Sequence, residues 1–183
     1  MSAPANPDDE QHELHHVMVV GGTVAEWGRL TEEQWQYRIR TLGALAGSAG
    51  ARWLTLRPFE RGDGADGARP VHHDVVELDD CTVIVDPTAD GRERLVVALR
   101  KLAENDQLSE PAVAAALLSP AATEPDLVLL LGTSDRLPSS LVWELAYAEM
   151  VYVPVEWADL REAHLAEAIA AYRRRHRRFG GLD

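Results

Sequence analysis

The sequence predicts one α/β domain: a mainly parallel central sheet with helices on both faces. Short apolar runs alternate with helical patterns along the whole chain, the arrangement of strand–helix–strand crossovers. Two of the runs, "VMVV" at Val17 to Val20 and "LVLLL" within Asp126 to Leu131, carry no polar position, as strands buried on both faces do. At 183 residues and without an internal repeat, the chain can bury one core and is too short for a second full domain.

Residues 1 to 13 are rich in Pro, Asp and Glu and read as a disordered acidic tail, leaving residues 14 to 183 as the domain. The first strand ends at Gly21 and Gly22, where the backbone can bend or approach a ligand closely. A helix follows: Thr31 is its N-cap, Glu32, Glu33 and Gln34 fill the first turn, and Trp35, Ile39, Leu42 and Ala46 form one apolar stripe before Gly47. "RWLTLRP" is the second strand, stopped at Pro58, and Glu60 to Pro70, "ERGDGADGARP", is a flexible loop with nothing to bury. Strands at Val71 to Leu78 and Cys81 to Asp86 flank the acidic turn Asp79-Asp80.

Helices are expected at Asp90 to Ala103 and at Ser109 to Leu118, the second opening with Ser-Glu-Pro. The apolar run Asp126 to Leu131 is a central strand, and "GTSDRLPSS" is the loop at its carboxyl end, where open α/β sheets bind ligands. Leu141 to Met150 reads as helix and Val151 to Val155 as a short strand. Asp159 caps a last helix with Leu165, Ile169 and Tyr172 on one face.

A net charge of -12, from 18 basic and 30 acidic residues, argues against nucleic acid as a partner for the body of the protein. No apolar run approaches the roughly 20 residues of a membrane span, and Met1 to Glu13 lacks the basic-then-apolar pattern of a secretory signal. The single cysteine, Cys81, has no internal disulfide partner, so a reduced, cytoplasmic protein is expected.

The candidate sites are sparse. The turn "GGTVAEWG" has no Lys, Arg, Ser or Asp to fix a phosphate or a metal, and its one charge, Glu26, would repel phosphate. It does not match the dinucleotide fingerprint. The histidines His12, His15, His16, His72, His73, His164 and His176 read as structural or surface groups, since neighbours in a strand point to opposite faces. Ser134 lacks the nucleophile elbow of a hydrolase. In "VDPTADGR", Asp86 and Asp90 weaken the phosphate site that Arg92 and a helix start would otherwise offer. The better placed group is Arg136, whose guanidinium can grip a diphosphate through paired hydrogen bonds. "YRRRHRRFGG" near the C-terminus reads either as a solvated helix end, its cations suited to the helix dipole, or as an anion site.

Several ordered stretches carry a resemblance. "HVMVVGGTVAEW" resembles the His-Val-x-x-x-Met-Asp-Gly-Asn-Gly-Arg-Trp motif of the cis-prenyltransferases, the undecaprenyl diphosphate synthases and their relatives. "PDLVLLLGTSDRLPSSLVWELAYAEMVYV" resembles that family's strand, arginine loop and interface helix, and "YRRRHRRFGG" its Arg-Arg-Phe-Gly-Gly ending. "DPTADGRERLVVALRKLAE" is similar to its Asn-Tyr-Gly-Gly-Arg turn and helix, so the likeness runs from His16 to Gly181. The resemblance implies a cis-prenyltransferase-like fold. It also implies a family site in which an aspartate organises Mg2+ and an allylic diphosphate while arginines hold isopentenyl diphosphate.

The departures fall on that site. The aspartate position is Gly22, and the next four are Thr23, Val24, Ala25 and Glu26. The first isopentenyl-diphosphate arginine is Leu130, the glutamate of Gly-Gly-Glu is Ser134, and the serine after the second arginine is Pro138. The two helices that wall the family's product tunnel are replaced by "RPFERGDGADGARP". What remains is Arg136, Trp143, Tyr147, Glu149, Trp157, Asp159 and the Arg178-Phe179-Gly180 tail.

This pattern looks like the Nogo-B-receptor type of accessory subunit. It implies a pseudoenzyme with no catalytic residue of its own, paired with a catalytic subunit that holds the Mg2+. Leu141, Leu145, Tyr147, Val151 and Tyr152 are then the interface. Arg178, Gly180 and Arg136 serve isopentenyl diphosphate across it, and Glu149 is a candidate metal ligand in the complex only. No membrane span is expected, only peripheral association through the complex. A divergent homodimeric short-chain transferase and a small-molecule binding protein without prenyl chemistry stay open as alternatives.

Overall fold

A computed structural model of the chain describes residues 13–64, 69–133, 135–146 and 148–179, the last four of these by their backbone alone. The expected tail, apart from Glu13, lies outside the described residues, as do Ser134, Tyr147 and Gly180. The elements run β1 (His16–Val20), α1 (Val24–Trp27), α2 (Glu32–Ser48), β2 (Trp53–Arg57), β3 (Asp74–Glu77), β4 (Thr82–Val85), α3 (Gly91–Glu104), α4 (Glu110–Leu118), β5 (Leu127–Leu131), β6 (Glu149–Val153), a 3-10 turn (Trp157–Asp159) and α5 (Glu162–Phe179). The sheet order is β3-β4-β2-β1-β5-β6. Among the described residues only the β3–β4 pair is antiparallel.

The two polar-free runs, Val17–Val20 of β1 and Leu127–Leu131 of β5, are adjacent at the centre and fully buried. Their residues alternate between two cores. Val17, Val19, Leu127, Leu129 and Leu131, with Leu54, Leu56, Val83 and Val85 from β2 and β4, meet the stripe Trp35, Ile39, Leu42, Ala46 of α2. Leu165, Ile169 and Tyr172 of α5 complete that core. On the other face Met18, Val20, Val128 and Leu130 meet Phe59 and Leu141, with Leu145, Ala148 and Met150 packed alongside. Helices α3 and α4 pack on each other around Ala98, Val113 and Leu117, and Trp143 joins that cluster. This pair is tied to the body where Gly91 N–H donates to the Ser139 carbonyl at 2.9 Å.

The helix starts read from sequence are present: Thr31, Asp90 and Ser109 accept hydrogen bonds from the first turns of α2, α3 and α4. Two expectations are corrected. Leu141 to Met150 is not a helix; residues 141–146 form turns, and β6 begins at Glu149, paired with Leu127. Leu141 and Leu145 have helical spacing and face the same core, but the Glu144 carboxylate between them is drawn inward to Arg57 and Arg94 and also accepts the Val142 N–H. A side chain that bonds its own backbone in this way competes with a helix.

Asp159 likewise does not cap the last helix: it ends the 3-10 turn, and α5 starts at Glu162, where His164 Nδ1 accepts the Arg161 N–H at 3.1 Å. Helix α1 is an addition to the expected elements, a single turn held by Thr23 and Glu26. Among the described residues no helix is long and apolar enough to cross a membrane.

Candidate functional site

The loops after β1, β2 and β5 meet at the carboxyl edge of the sheet. Gly21 N–H donates to the Arg57 carbonyl at 3.1 Å, Phe59 N–H to the Gly22 carbonyl at 2.7 Å, and Val24 N–H to the Glu60 carbonyl at 3.1 Å. These bonds lace the first and second loops together and close the floor of a cleft. The cleft, about 240 Å³, is lined by Gly22, Thr23, Glu26, Glu60, Arg136 and Glu156 among others.

Gly22 has φ +67, a left-handed conformation that side chains rarely adopt. A Cβ built there would sit 2.7 Å from the Trp157 Cβ and 2.8 Å from its Cγ. Trp157 is held in that place by aromatic packing: it stacks on Trp27 at 4.9 Å, and Trp35 meets Trp27 edge-on at 5.1 Å. Trp27 in turn donates its Nε1–H to the Gly21 carbonyl at 2.9 Å. The first turn is thus packed against a tryptophan cluster, and a carboxylate at position 22 has no place in it.

The carboxylates that do line the cleft are engaged or exposed. Glu26 accepts the Thr23 N–H at 2.7 Å while the Thr23 hydroxyl accepts the Glu26 N–H at 3.1 Å, a capping box for α1. Glu60 takes Arg136 through two parallel bonds of 2.8 and 2.9 Å. Arg136 also lies 5.0 Å from the Phe59 ring centroid. Glu156 is exposed. These residues do not fit a magnesium diphosphate: position 22 has no carboxylate, and among the described residues of the cleft the one arginine, Arg136, is already paired. Among the described residues no group of three His, Cys, Asp or Glu side chains is placed to hold a metal ion.

Beside the cleft, under α3, lies a buried ion cluster. Arg57 donates from Nε and Nη2 to one Asp86 oxygen at 3.2 and 2.9 Å and from Nη1 to Glu144 at 2.5 Å. Arg94 donates to the same Glu144 oxygen at 2.5 Å and lies 3.5 Å from Asp86. Two guanidinium groups face two carboxylates, so the cluster is neutral overall. Burial disfavours the charge on Glu144, but Arg57 and Arg94 outweigh it and hold the carboxyl at about 2. For Asp86, too, burial pushes upward and is overcome by Arg57, Thr88 and Arg94, leaving it below the ordinary range.

The residues singled out in the sequence are dispersed by the fold. Gly22, Glu26 and Arg136 share the cleft. Asp86 joins the ion cluster and Asp90 caps α3, so the "VDPTADGR" turn holds no open phosphate site. Glu149 starts β6 at the amino edge of the sheet, the opposite end from the cleft, and accepts from Arg175 at 2.7 Å.

Of the proposed interface, Leu141 is buried in this chain's own second core, while Leu145 and Val151 are half-buried against the two cores and Tyr152 is exposed on the edge strand β6. Arg178 falls in the last turn of α5, its side chain outside the described residues. His16 is structural: Nδ1–H donates to the Thr123 carbonyl at 2.8 Å, and Nε2 accepts the Thr55 hydroxyl at 2.9 Å. His15 is 3.9 Å from Glu13, and His72 and His73 are exposed.

Four groups that organise this edge, Arg57, Glu60, Arg94 and Glu144, were not among the candidates. Two of them carry a signal in the sequence: Arg57 is a lone charge ending an otherwise neutral strand, and Glu144 a lone charge in "LVWELAY".

Comparisons with known proteins agree with this architecture. The Prenyltransf family model, described as "Putative undecaprenyl diphosphate synthase", matches residues 73–180. An isoprenyl transferase of Geobacillus kaustophilus is 34% identical over 101 residues, covering 51% of this chain and 39% of its own length. One from Nitrosomonas europaea is 40% identical over 95 residues, 49% of this chain and 36% of that protein. The chain thus spans about two fifths of the length of these relatives.

Two solved structures share the fold. A probable undecaprenyl diphosphate synthase from Campylobacter jejuni superposes with a TM-score of 0.62 at 18% identity, over 92% of this chain and 99% of that one. Lavandulyl diphosphate synthase from Lavandula x intermedia does so at 0.60 and 16%, over 89% and 96%. With its sheet matched by these structures and more than half of its residues by the family model, the chain belongs to the undecaprenyl diphosphate synthase family of cis-prenyltransferases.

Proposed function

We propose that the chain is a non-catalytic subunit of a heteromeric cis-prenyltransferase that makes a polyprenyl diphosphate from an allylic diphosphate and isopentenyl diphosphate. The observation that carries this reading is Gly22 against Trp157: where the family motif has its aspartate, the backbone is left-handed and the side-chain space is filled by indole. The catalytic partner supplies that aspartate, its Mg2+ and the tunnel for the growing lipid, since the span between β2 and β3 is too short for two tunnel helices. This chain supplies the interface around β6 and its C-terminal Arg178 and Gly180.

The edge position of β6 and the exposure of Tyr152 and Val142 support an interface there. An edge strand leaves backbone donors and acceptors for another chain. The test is co-expression with each full-length cis-prenyltransferase of the host, scoring both co-purification and isopentenyl diphosphate incorporation. The reading expects one partner to co-purify stoichiometrically and to gain activity. It fails if no such enzyme binds, or if the chain turns over by itself.

A further inference from the structure

We infer that Glu60 is the specificity-determining residue of the cleft, an internal carboxylate that occupies the anion-binding fork of Arg136 and thereby keeps diphosphates out. The inference rests on the reading of Arg136 as the cleft's diphosphate-facing cation. Its geometric basis is the pair itself: Nη1 and Nη2 of Arg136 each donate to a different Glu60 oxygen, at 2.8 and 2.9 Å, the two-pronged geometry with which an arginine receives a carboxylate or a phosphate. The pair is positioned from both sides. Phe59 packs against the guanidinium, and the Glu60 backbone is fixed by the Val24 N–H and by its bridge to Thr23.

The Arg136 side chain is 59% exposed and that of Glu60 35%, so the bond is open to exchange with a solute. An entering diphosphate must displace the Glu60 carboxylate and then sit beside it. Two like charges at contact distance repel even in water. A diphosphate carries more than one charge, so that repulsion adds to the loss of the displaced pair. Together the two effects correspond to a factor of about ten or more in affinity. Among the described residues lining the cleft Arg136 is the only cation, so the choice between internal carboxylate and external anion is made there at this one side chain.

The experiment titrates inorganic diphosphate and isopentenyl diphosphate into the full chain by calorimetry at low ionic strength. It compares wild type, Glu60→Ala, Glu60→Gln and Glu60→Ala with Arg136→Gln. Glu60→Gln keeps the side-chain volume and serves where the alanine variant folds poorly; circular dichroism checks each protein.

Both single variants are expected to bind diphosphate about tenfold more tightly than wild type, with the gain lost in the double variant. Binding no tighter than wild type overturns the inference, as does a gain that survives Arg136→Gln. Neither result depends on turnover or on a partner, so a failure here leaves the scaffold reading to its own test. A variant that binds diphosphate without elongating any chain supports both.

Discussion

Gly22 and Trp157 share one small space: a Cβ on Gly22 would stand 2.7 Å from the Trp157 Cβ, and Gly22 already has φ +67. Gly22→Asp therefore does more than restore a carboxylate. It strains the backbone and drives a side chain into a ring stacked on Trp27. A cost of about 2 to 4 kcal/mol is expected from the overpacking and the left-handed φ together, read as a fall in the urea midpoint. Magnesium-dependent chain elongation by this single variant, with stability unchanged, would show that the first turn is an intact site.

The buried cluster makes a second prediction. Glu144→Gln leaves Arg57 and Arg94 sharing Asp86 alone, an uncompensated charge in a buried setting. Breaking such a pair costs about 3 to 5 kcal/mol, and because Glu144 anchors residues 141–146, the loss should appear as global destabilisation in chemical denaturation. A change of under about 1 kcal/mol would mean that the cluster is solvated and does not hold the segment.

Stability should fall with acid in two stages of the same sign. Burial lowers His16 from 6.5 to about 4, outweighing the opposing pull of the Thr123 carbonyl and Asp126. The unfolded chain thus binds the extra proton first. The contribution is complete above pH 6.5 and is lost as pH falls to about 4, by roughly 3 kcal/mol. Glu144, at about 2 against 4.5, adds a second loss of similar size as pH falls from 4.5 toward 2. Urea midpoints at pH 7, 5.5 and 4.5 test the first stage. His16→Gln should flatten the change between pH 6.5 and 4, and an equally steep change in that variant would assign it to other groups.

Tyr152 separates interface from core. Leu145 is half-buried against the second core, so Leu145→Asp harms the fold as well as any interface. Tyr152 is 36% exposed on β6, and Tyr152→Glu should cost the isolated chain no more than about 1 kcal/mol. It should nevertheless abolish co-purification with the catalytic partner. A stoichiometric complex with the variant would place the interface elsewhere.

Much of the fold was legible because it rests on local pattern. The stripe Trp35, Ile39, Leu42, Ala46, the caps at Thr31, Asp90 and Ser109, and the apolar runs of β1 and β5 each carry their structure in a few adjacent residues. The segment after β5 did not, because its conformation is set by Glu144 meeting an arginine 87 residues away. The Thr23 and Glu26 capping box is present in "TVAE", but beside two glycines a lone Glu signals a charge that repels phosphate as readily as it signals a cap. In the cleft, the lack of an aspartate was visible at Gly22. That Trp157 fills its place and that Glu60 holds Arg136 depends on contacts between β1, β2, β5 and the chain beyond β6, which no local window contains.

The most direct test of the central claim is isopentenyl diphosphate incorporation by the purified full chain, alone and in complex with its co-purified catalytic partner, with mass spectrometry to exclude trace partner in the first sample. The account predicts no elongation of any allylic diphosphate by the chain alone and magnesium-dependent elongation by the complex, exceeding that of the partner alone. Magnesium-dependent product from the chain by itself would contradict it.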